Sequence, residues 1–360
     1  MQNTLRLRIK KNLRPVLQDL SFYTSFPLVR PKNVTIYITD RCQLRCTTCS
    51  KWTTPDAMQT KELTSGEWKN VLLDLKDWLG FYAVFFCGGE PFLREDLLEL
   101  IDFAADNNIP SSVITNGYNL EPLAESIVQS QLRSLHVSMN GVTPEIHDAS
   151  RGTSGSLEKV MNAILKINDL RTQRTGEKLW LNIETILMPQ NIHEVLPLID
   201  WAKKHAIDSI DVQILEDRQT FYSFSQGQSL RQPTNYQPPP SLEQQWSDGK
   251  KKALLSVLDG LIKQKREGGF IATPEAQLHA TKSYLQNPAD ILRIQCRVGV
   301  DSFIVDAYGN VRSCMNMSPI GSLLKESPKQ VWLSKNARIQ REHIKKCTMF
   351  CRLLTCNFSD

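Results

Sequence analysis

The 360-residue sequence contains no apolar run approaching the roughly 20 residues needed to cross a bilayer, so no membrane span is expected. Its first residues lack the apolar core of a secretory signal. There is no internal repeat and no heptad array, so neither a solenoid nor a coiled coil is expected. Charge of one sign does not dominate: 43 Lys and Arg against 38 Asp and Glu leave +5, too mild a balance to point to nucleic acid. Hydrophobic residues at 41% over this length suffice for a large core and more than one domain. One further absence is local. No cysteine or histidine stands between Cys49 and Cys87, which weakens a structural zinc site just upstream, because zinc takes a fourth nearby ligand.

What is present is a cysteine triplet, Cys42-x3-Cys46-x2-Cys49, directly after the apolar stretch 34–39. A disulfide framework suits a small secreted chain rather than one of this size. Three thiolates on one loop can hold three corners of a cubane iron–sulfur cluster and leave the fourth iron without a protein ligand. Further along, the apolar run 83–87 ends in Gly88-Gly89-Glu90-Pro91, a buried strand giving way to a tight turn with one carboxylate. Short apolar runs at 111–117, 132–141, 179–187 and 209–215 repeat the pattern. Helical stretches are expected over 65–79, 94–107, 120–130, 156–170 and 192–205. Six strands alternating with helices imply parallel βαβ units, too few for a closed eight-stranded barrel. Loops at the carboxyl ends of such strands are where a site is expected.

The triplet after a strand, with GGEP about forty residues on, resembles the radical SAM superfamily. The resemblance implies a partial (β/α)6 barrel whose open iron chelates the methionine part of S-adenosylmethionine (SAM). It implies a 4Fe–4S cluster on Cys42, Cys46 and Cys49, and one-electron cleavage of SAM to a 5′-deoxyadenosyl radical that abstracts hydrogen from a substrate. Carried over residue by residue, Gly88, Gly89, Glu90 and Pro91 hold the SAM amino group. Asn116 and Ser138 contact its ribose or carboxylate. Arg151 meets the carboxylate, or is a solvated loop arginine. Gln213 meets adenine or is a partly buried strand residue. Thr48 departs from the family, which commonly has an aromatic residue there, and Trp52 is a weak substitute. Cys87 reads as a small buried residue, and as the first thiol to test as a hydrogen donor.

Five cysteines fall in the last sixty-five residues: Cys296, Cys314, Cys347, Cys351 and Cys356. The segment 301–314 reads as a β-hairpin turning at Tyr308-Gly309-Asn310. This block resembles the SPASM or twitch domain of radical SAM enzymes. It implies one auxiliary 4Fe–4S cluster, ligated by Cys296, Cys314 and two of Cys347, Cys351 and Cys356. A zinc knuckle is the alternative. The expected organisation is a basic extension over 1–33, the barrel over 34–215, a linker loop and helix over 216–290, and a small cysteine-rich α+β domain over 291–360. Within the linker, 216–247 reads as a long loop and 242–264 as a helix.

Arg6, Arg8, Lys10, Lys11 and Arg14 have no acidic counterpart within residues 1–14 and alternate with apolar residues. The extension is expected to pack on the barrel with its charges solvated, a membrane-surface contact being the other reading. Cysteines in ligand-like groups fit a cytoplasmic location. The partners implied are a reductant such as flavodoxin or ferredoxin and a small-molecule or peptide substrate. Two readings from other classes stand beside the enzyme: an iron–sulfur scaffold or electron-transfer protein without SAM chemistry, and a zinc-binding interaction protein.

Overall fold

The structure, a computed structural model, describes residues 2–49, 61–174, 179–215, 246–347, 350–353 and 357–358. Six parallel strands form the barrel wall: β1 (Asn33–Thr39), β2 (Val84–Gly88), β3 (Ser111–Thr115), β4 (Ser134–Ser138), β5 (Trp180–Leu187) and β6 (Ser209–Ile214). They lie in the sheet in sequence order. Helices α2 (Ser65–Leu79), α3 (Leu97–Asp106), α4 (Ala124–Gln129), α5 (Pro144–Arg151), α6 (Ser156–Gln173) and α7 (Val195–Lys204) fill the crossovers. Side chains on a strand alternate between faces. Leu135 and Val137 of β4 join the helix-covered core with Val160 and Ile164 of α6. Ser134, His136 and Ser138 take the other face, toward the lumen. The partial barrel expected from the sequence is therefore the observed architecture.

Three helices start later than their apolar spacing predicts. Pro91–Leu93, Glu121–Leu123 and Ile192–Glu194 are 3-10 turns, α4 and α7 begin at Ala124 and Val195, and α3 begins only at Leu97, because Arg94 is extended. In the linker, α8 (Asp248–Gly268) starts after Ser247 rather than near 242, with α9 (Glu275–Gln286) following. The expected loop over 216–247 lies outside the described residues up to 245.

The expected hairpin is present, as β7 (Ser302–Val305) and β8 (Asn310–Arg312). It is built onto the barrel: β7 runs parallel to β1, pairing Val34 with Phe303, and β9 (Gly321–Ser322) closes the nine-stranded sheet. This seats the cysteine-rich tail beside the start of the cysteine loop.

The extension departs from expectation. It forms α1 (Gln2–Thr24), whose main packing among the described residues is on two tail helices, Val298–Asp301 and Lys335–Lys346. Gln18 Nε2 donates to Asp301 Oδ1 at 2.5 Å, and Arg297 bonds Asp19 Oδ1 at 2.6 Å. Among the described residues, no helix is long and apolar enough to cross a membrane.

Candidate active site

The cysteine loop leaves the end of β1 and is held from below by backbone. Gly89 N donates to Thr39 O and Glu90 N to Arg41 O, both at 2.7 Å, while Thr47 N donates to Ser150 O at 2.9 Å. Leu44, 1% exposed, anchors the loop's middle. Such contact requires glycine beneath. A Cβ at Gly89 would lie 2.1 Å from Arg41 O, and one at Gly152, which has φ +66°, would lie 2.3 Å from Arg45 O. The glycines of GGEP were expected to admit a ligand; they also admit the cysteine loop itself.

Glu90 is almost wholly buried. Its Oε1 accepts from Thr115 Oγ1 (2.7 Å) and Phe92 N (3.1 Å), its Oε2 from Asn116 N (2.7 Å). It thus ties the end of β2 to the end of β3, and Oε2 retains capacity for a second donor. Burial pushes Glu90 up to about 7, against those three hydrogen bonds and the charge of Arg151. Asn116 is buried; its Nδ2 lies 3.8 Å from Cys42 Sγ. Arg151, 7% exposed at the end of α5, is not a solvated arginine, and its Nε has no hydrogen-bond acceptor among the described residues. It lies close enough to Glu90 and His147 to act electrostatically on both. Burial, with that arginine, pushes His147 down to about 3, so the ring is neutral and accepts from Asn140 N.

The three thiols converge at the rim. Burial pushes Cys42 up to about 11, with Glu90, Cys46 and Cys49 adding to the rise. Metal ligation would release that proton. Among the described residues no group of three or more His, Cys, Asp or Glu forms a single-ion site. A cubane holds its thiolates on separate irons and does not require them around one ion. The donor set therefore fits a three-thiolate cluster, and buried Arg151, whose Nε has no acceptor among the described residues, fits a carboxylate beside it. Thr48 is described; Trp52 lies outside the described residues.

Below the rim, the lumen carries polar groups that the sequence did not single out. His136 Nδ1 lies 2.8 Å from Glu184 Oε1, and the Phe85 ring meets the imidazole edge-on. Glu184 pairs in register with Ser138 on one side and Asp211 on the other. Asp211 accepts from Thr273 Oγ1 at 2.6 Å. Burial and the Glu184 charge push Asp211 up to about 7. The raised value means that Asp211 stabilises the fold below its unfolded value near 4, and that this is lost as pH rises through about 7. Asp211→Asn is expected to flatten the fall in melting temperature between pH 4 and 8; an unchanged slope would contradict the assignment. Cys87, 7% exposed, shares the lumen face with Phe85, as its reading as a buried residue required. Gln213 lies two residues beyond Asp211 on the same strand.

Beneath the loop's entry, Glu62 Oε1 accepts from Thr39 Oγ1 (2.7 Å) and Asp40 N (2.9 Å). Buried Arg94 pairs with Glu62 at 3.8 Å, donates to the carbonyls of Ile38 and Leu63, and grips Asp96 with two bonds. No sequence spacing marks this network.

In the tail, Cys296 is buried with Val298, Met317 and Ile344, and Cys314 packs against them. Asn316 bridges two cysteines: its backbone N lies 3.4 Å from Cys314 Sγ and its Nδ2 3.8 Å from Cys351 Sγ. Arg352 donates to the carbonyls of Leu292 and Ile294, drawing the Cys351 turn toward Cys296. Cys347 follows the helix that carries Ile344. Cys356 lies outside the described residues.

Residues 36–202 match the family model described as the radical SAM superfamily. PqqA peptide cyclase of Bradyrhizobium diazoefficiens is 31% identical over 184 residues, covering 51% of this chain and 46% of that protein. GTP 3′,8-cyclase of Limosilactobacillus fermentum is 30% identical over 179 residues, covering 49% and 52%. The chain spans about half the length of these curated relatives. In fold, it resembles Streptococcus suis SuiB bound to precursor peptide SuiA: TM-score 0.63, 16% identity, 91% of this chain and 70% of that one. It also resembles anSMEcpe with bound AdoMet: TM-score 0.60, 16% identity, 86% and 82%. Over residues 36–202 the chain is similar to the radical SAM superfamily. In that superfamily a 4Fe–4S cluster and SAM are the cofactors.

Proposed function

We propose that this protein cleaves SAM reductively and abstracts hydrogen from a substrate seated in the barrel lumen. The observation that carries the reading is the joint placement of the cysteine loop, the GGEP backbone and buried Arg151, whose Nε has no acceptor among the described residues, at the carboxyl ends of β1, β2 and β3 and the end of α5. With a 4Fe–4S cluster and SAM bound, one electron splits the sulfonium to methionine and a 5′-deoxyadenosyl radical. Cys42, Cys46 and Cys49 hold the cluster, the GGEP turn and Glu90 Oε2 receive the amino group, and Arg151 pairs with the carboxylate. Asn116 and Ser138 face the remainder. An ionised Arg–carboxylate bond in a buried setting is strong, which suits an arginine whose Nε has no acceptor among the described residues.

The substrate is a small molecule or a peptide, and its transformation is dehydrogenation, epimerisation or cross-linking. Peptides are what two comparisons name: a PqqA peptide cyclase, and SuiB with its precursor peptide. The lumen row His136, Glu184 and Asp211 suits a substrate bearing hydroxyl or amine hydrogens, which carboxylates accept. Electrons would come from a flavodoxin- or ferredoxin-type reductant.

An auxiliary 4Fe–4S cluster belongs to the same reading. Cys296, Cys314 and Cys351 supply three ligands, and Cys347 or Cys356 the fourth; Asn316 donates to two of the sulfurs, the outer contact that tunes such centres. Iron should fall from roughly eight to about four per chain in Cys296→Ala/Cys314→Ala, with 5′-deoxyadenosine still formed. Loss of deoxyadenosine with the fold intact would contradict this division of labour. Unchanged iron would remove the auxiliary cluster.

A further inference from the structure

We propose that α1 is an interfacial helix that seats this protein on an anionic lipid surface. Helices in globular proteins bury their apolar side. The described part of α1 does the reverse. Its fully buried side chains are polar, with Leu17 and Phe22 half-buried beside them: Gln18 and Ser21 are 8% and 0% exposed, Gln18 bonds Asp301, and Ser21 Oγ accepts from Leu28 N. Arg297 holds Asp19, and Lys345 Nζ donates to Tyr23 O. The outward side is apolar: Leu13, Val16, Leu20 and Tyr23 are 47%, 61%, 47% and 64% exposed, at the three- and four-residue spacing of one helical stripe. Phe26 and Leu28, just beyond, are exposed as well.

The sequence carries the stripe back through Ile9 and Leu5 at four-residue steps. The same stretch contains Arg6, Arg8, Lys10, Lys11 and Arg14, and no acidic residue precedes Asp19. A basic helix with an apolar stripe and low overall hydropathy lies in the headgroup plane rather than crossing it, consistent with α1 being too polar to span. Each cation adds attraction to anionic headgroups. A second copy of the chain would bring five like charges against five, so the charge favours lipid over self-association.

Flotation of the full chain with vesicles tests this. The protein should float with phosphatidylcholine vesicles doped with phosphatidylglycerol, and float about tenfold less with pure phosphatidylcholine or in high salt. Leu13→Gln/Val16→Gln/Leu20→Gln should lose flotation while keeping its melting temperature and its deoxyadenosine formation, because these side chains touch neither core nor site. Three results would overturn the proposal: wild type staying down with anionic vesicles, equal flotation of the triple variant, or a wild-type dimer that the triple variant converts to a monomer without either binding vesicles.

Discussion

Gly89→Ala is expected to abolish the barrel cluster while leaving the rest of the fold standing. The new methyl would sit 2.1 Å from Arg41 O, 2.6 Å from Arg41 C and 2.8 Å from Asp40 O. All three are backbone or carbonyl atoms, which cannot rotate away as a side-chain tip can. The loop must lift, and lifting breaks Gly89 N to Thr39 O and Glu90 N to Arg41 O. Overpacking and two lost hydrogen bonds together come to about 3–5 kcal/mol, localised on the loop that carries all three thiols. Reconstituted iron should fall by the barrel cluster's share, about four per chain, with far-ultraviolet circular dichroism unchanged. Gly66→Ala is the control. A Cβ there meets nothing within 4 Å, and Gly66 lies in α2, so that variant should be neutral or stabilised by up to about 1 kcal/mol. Full iron in Gly89→Ala would show that the loop does not need the close approach.

Arg94→Met should produce the largest loss of stability away from the thiols. Arg94 is 8% exposed and serves Glu62, Asp96 and two backbone carbonyls. Removing Arg94 takes both of its bonds from Asp96 and leaves Glu62 with only the half-exposed Arg41 at 3.6 Å as a cationic partner, and breaking such a buried network costs about 3–5 kcal/mol. Glu62 and Asp96 keep some solvent contact, so the lower end of that range applies. Because Glu62 also holds Thr39 Oγ1 and Asp40 N, the entry to the cysteine loop should loosen with it. Denaturant unfolding gives the magnitude. Adding Glu62→Gln should recover part of the loss, since the stranded charge is then gone. A loss under about 1 kcal/mol would mean the network is solvent-screened.

The six strands were legible because burial on one face and turn residues at each end leave a strong local signal. Predicted runs at 34–39, 111–117 and 209–215 enclose or nearly match β1, β3 and β6. The hairpin turn at Gly309, with φ +78°, was legible for the same reason. What was not legible depends on register and docking. His136, Glu184 and Asp211 are far apart in sequence and meet only because β4, β5 and β6 align in this register. Arg94 looked like the start of a helix, yet its side chain is drawn beneath the loop and its backbone stays extended. The helix α1 was not among the expected elements, because its first residues alternate basic and apolar, and its docking on the tail depends on Asp301 and Arg297, nearly 300 residues away. Arg151 was read two ways, and only burial separates a solvated arginine from one held in the site.

The central claim is that the loop of Cys42, Cys46 and Cys49 is the place where SAM is cleaved. The most direct measurement is 5′-deoxyadenosine formed from SAM and dithionite by anaerobically reconstituted protein, wild type against Cys42→Ala/Cys46→Ala/Cys49→Ala. Deoxyadenosine from wild type alone, with the triple variant retaining the tail's share of iron, is the predicted result. No deoxyadenosine from a wild-type protein that holds its clusters would contradict the account and leave an iron–sulfur scaffold in its place.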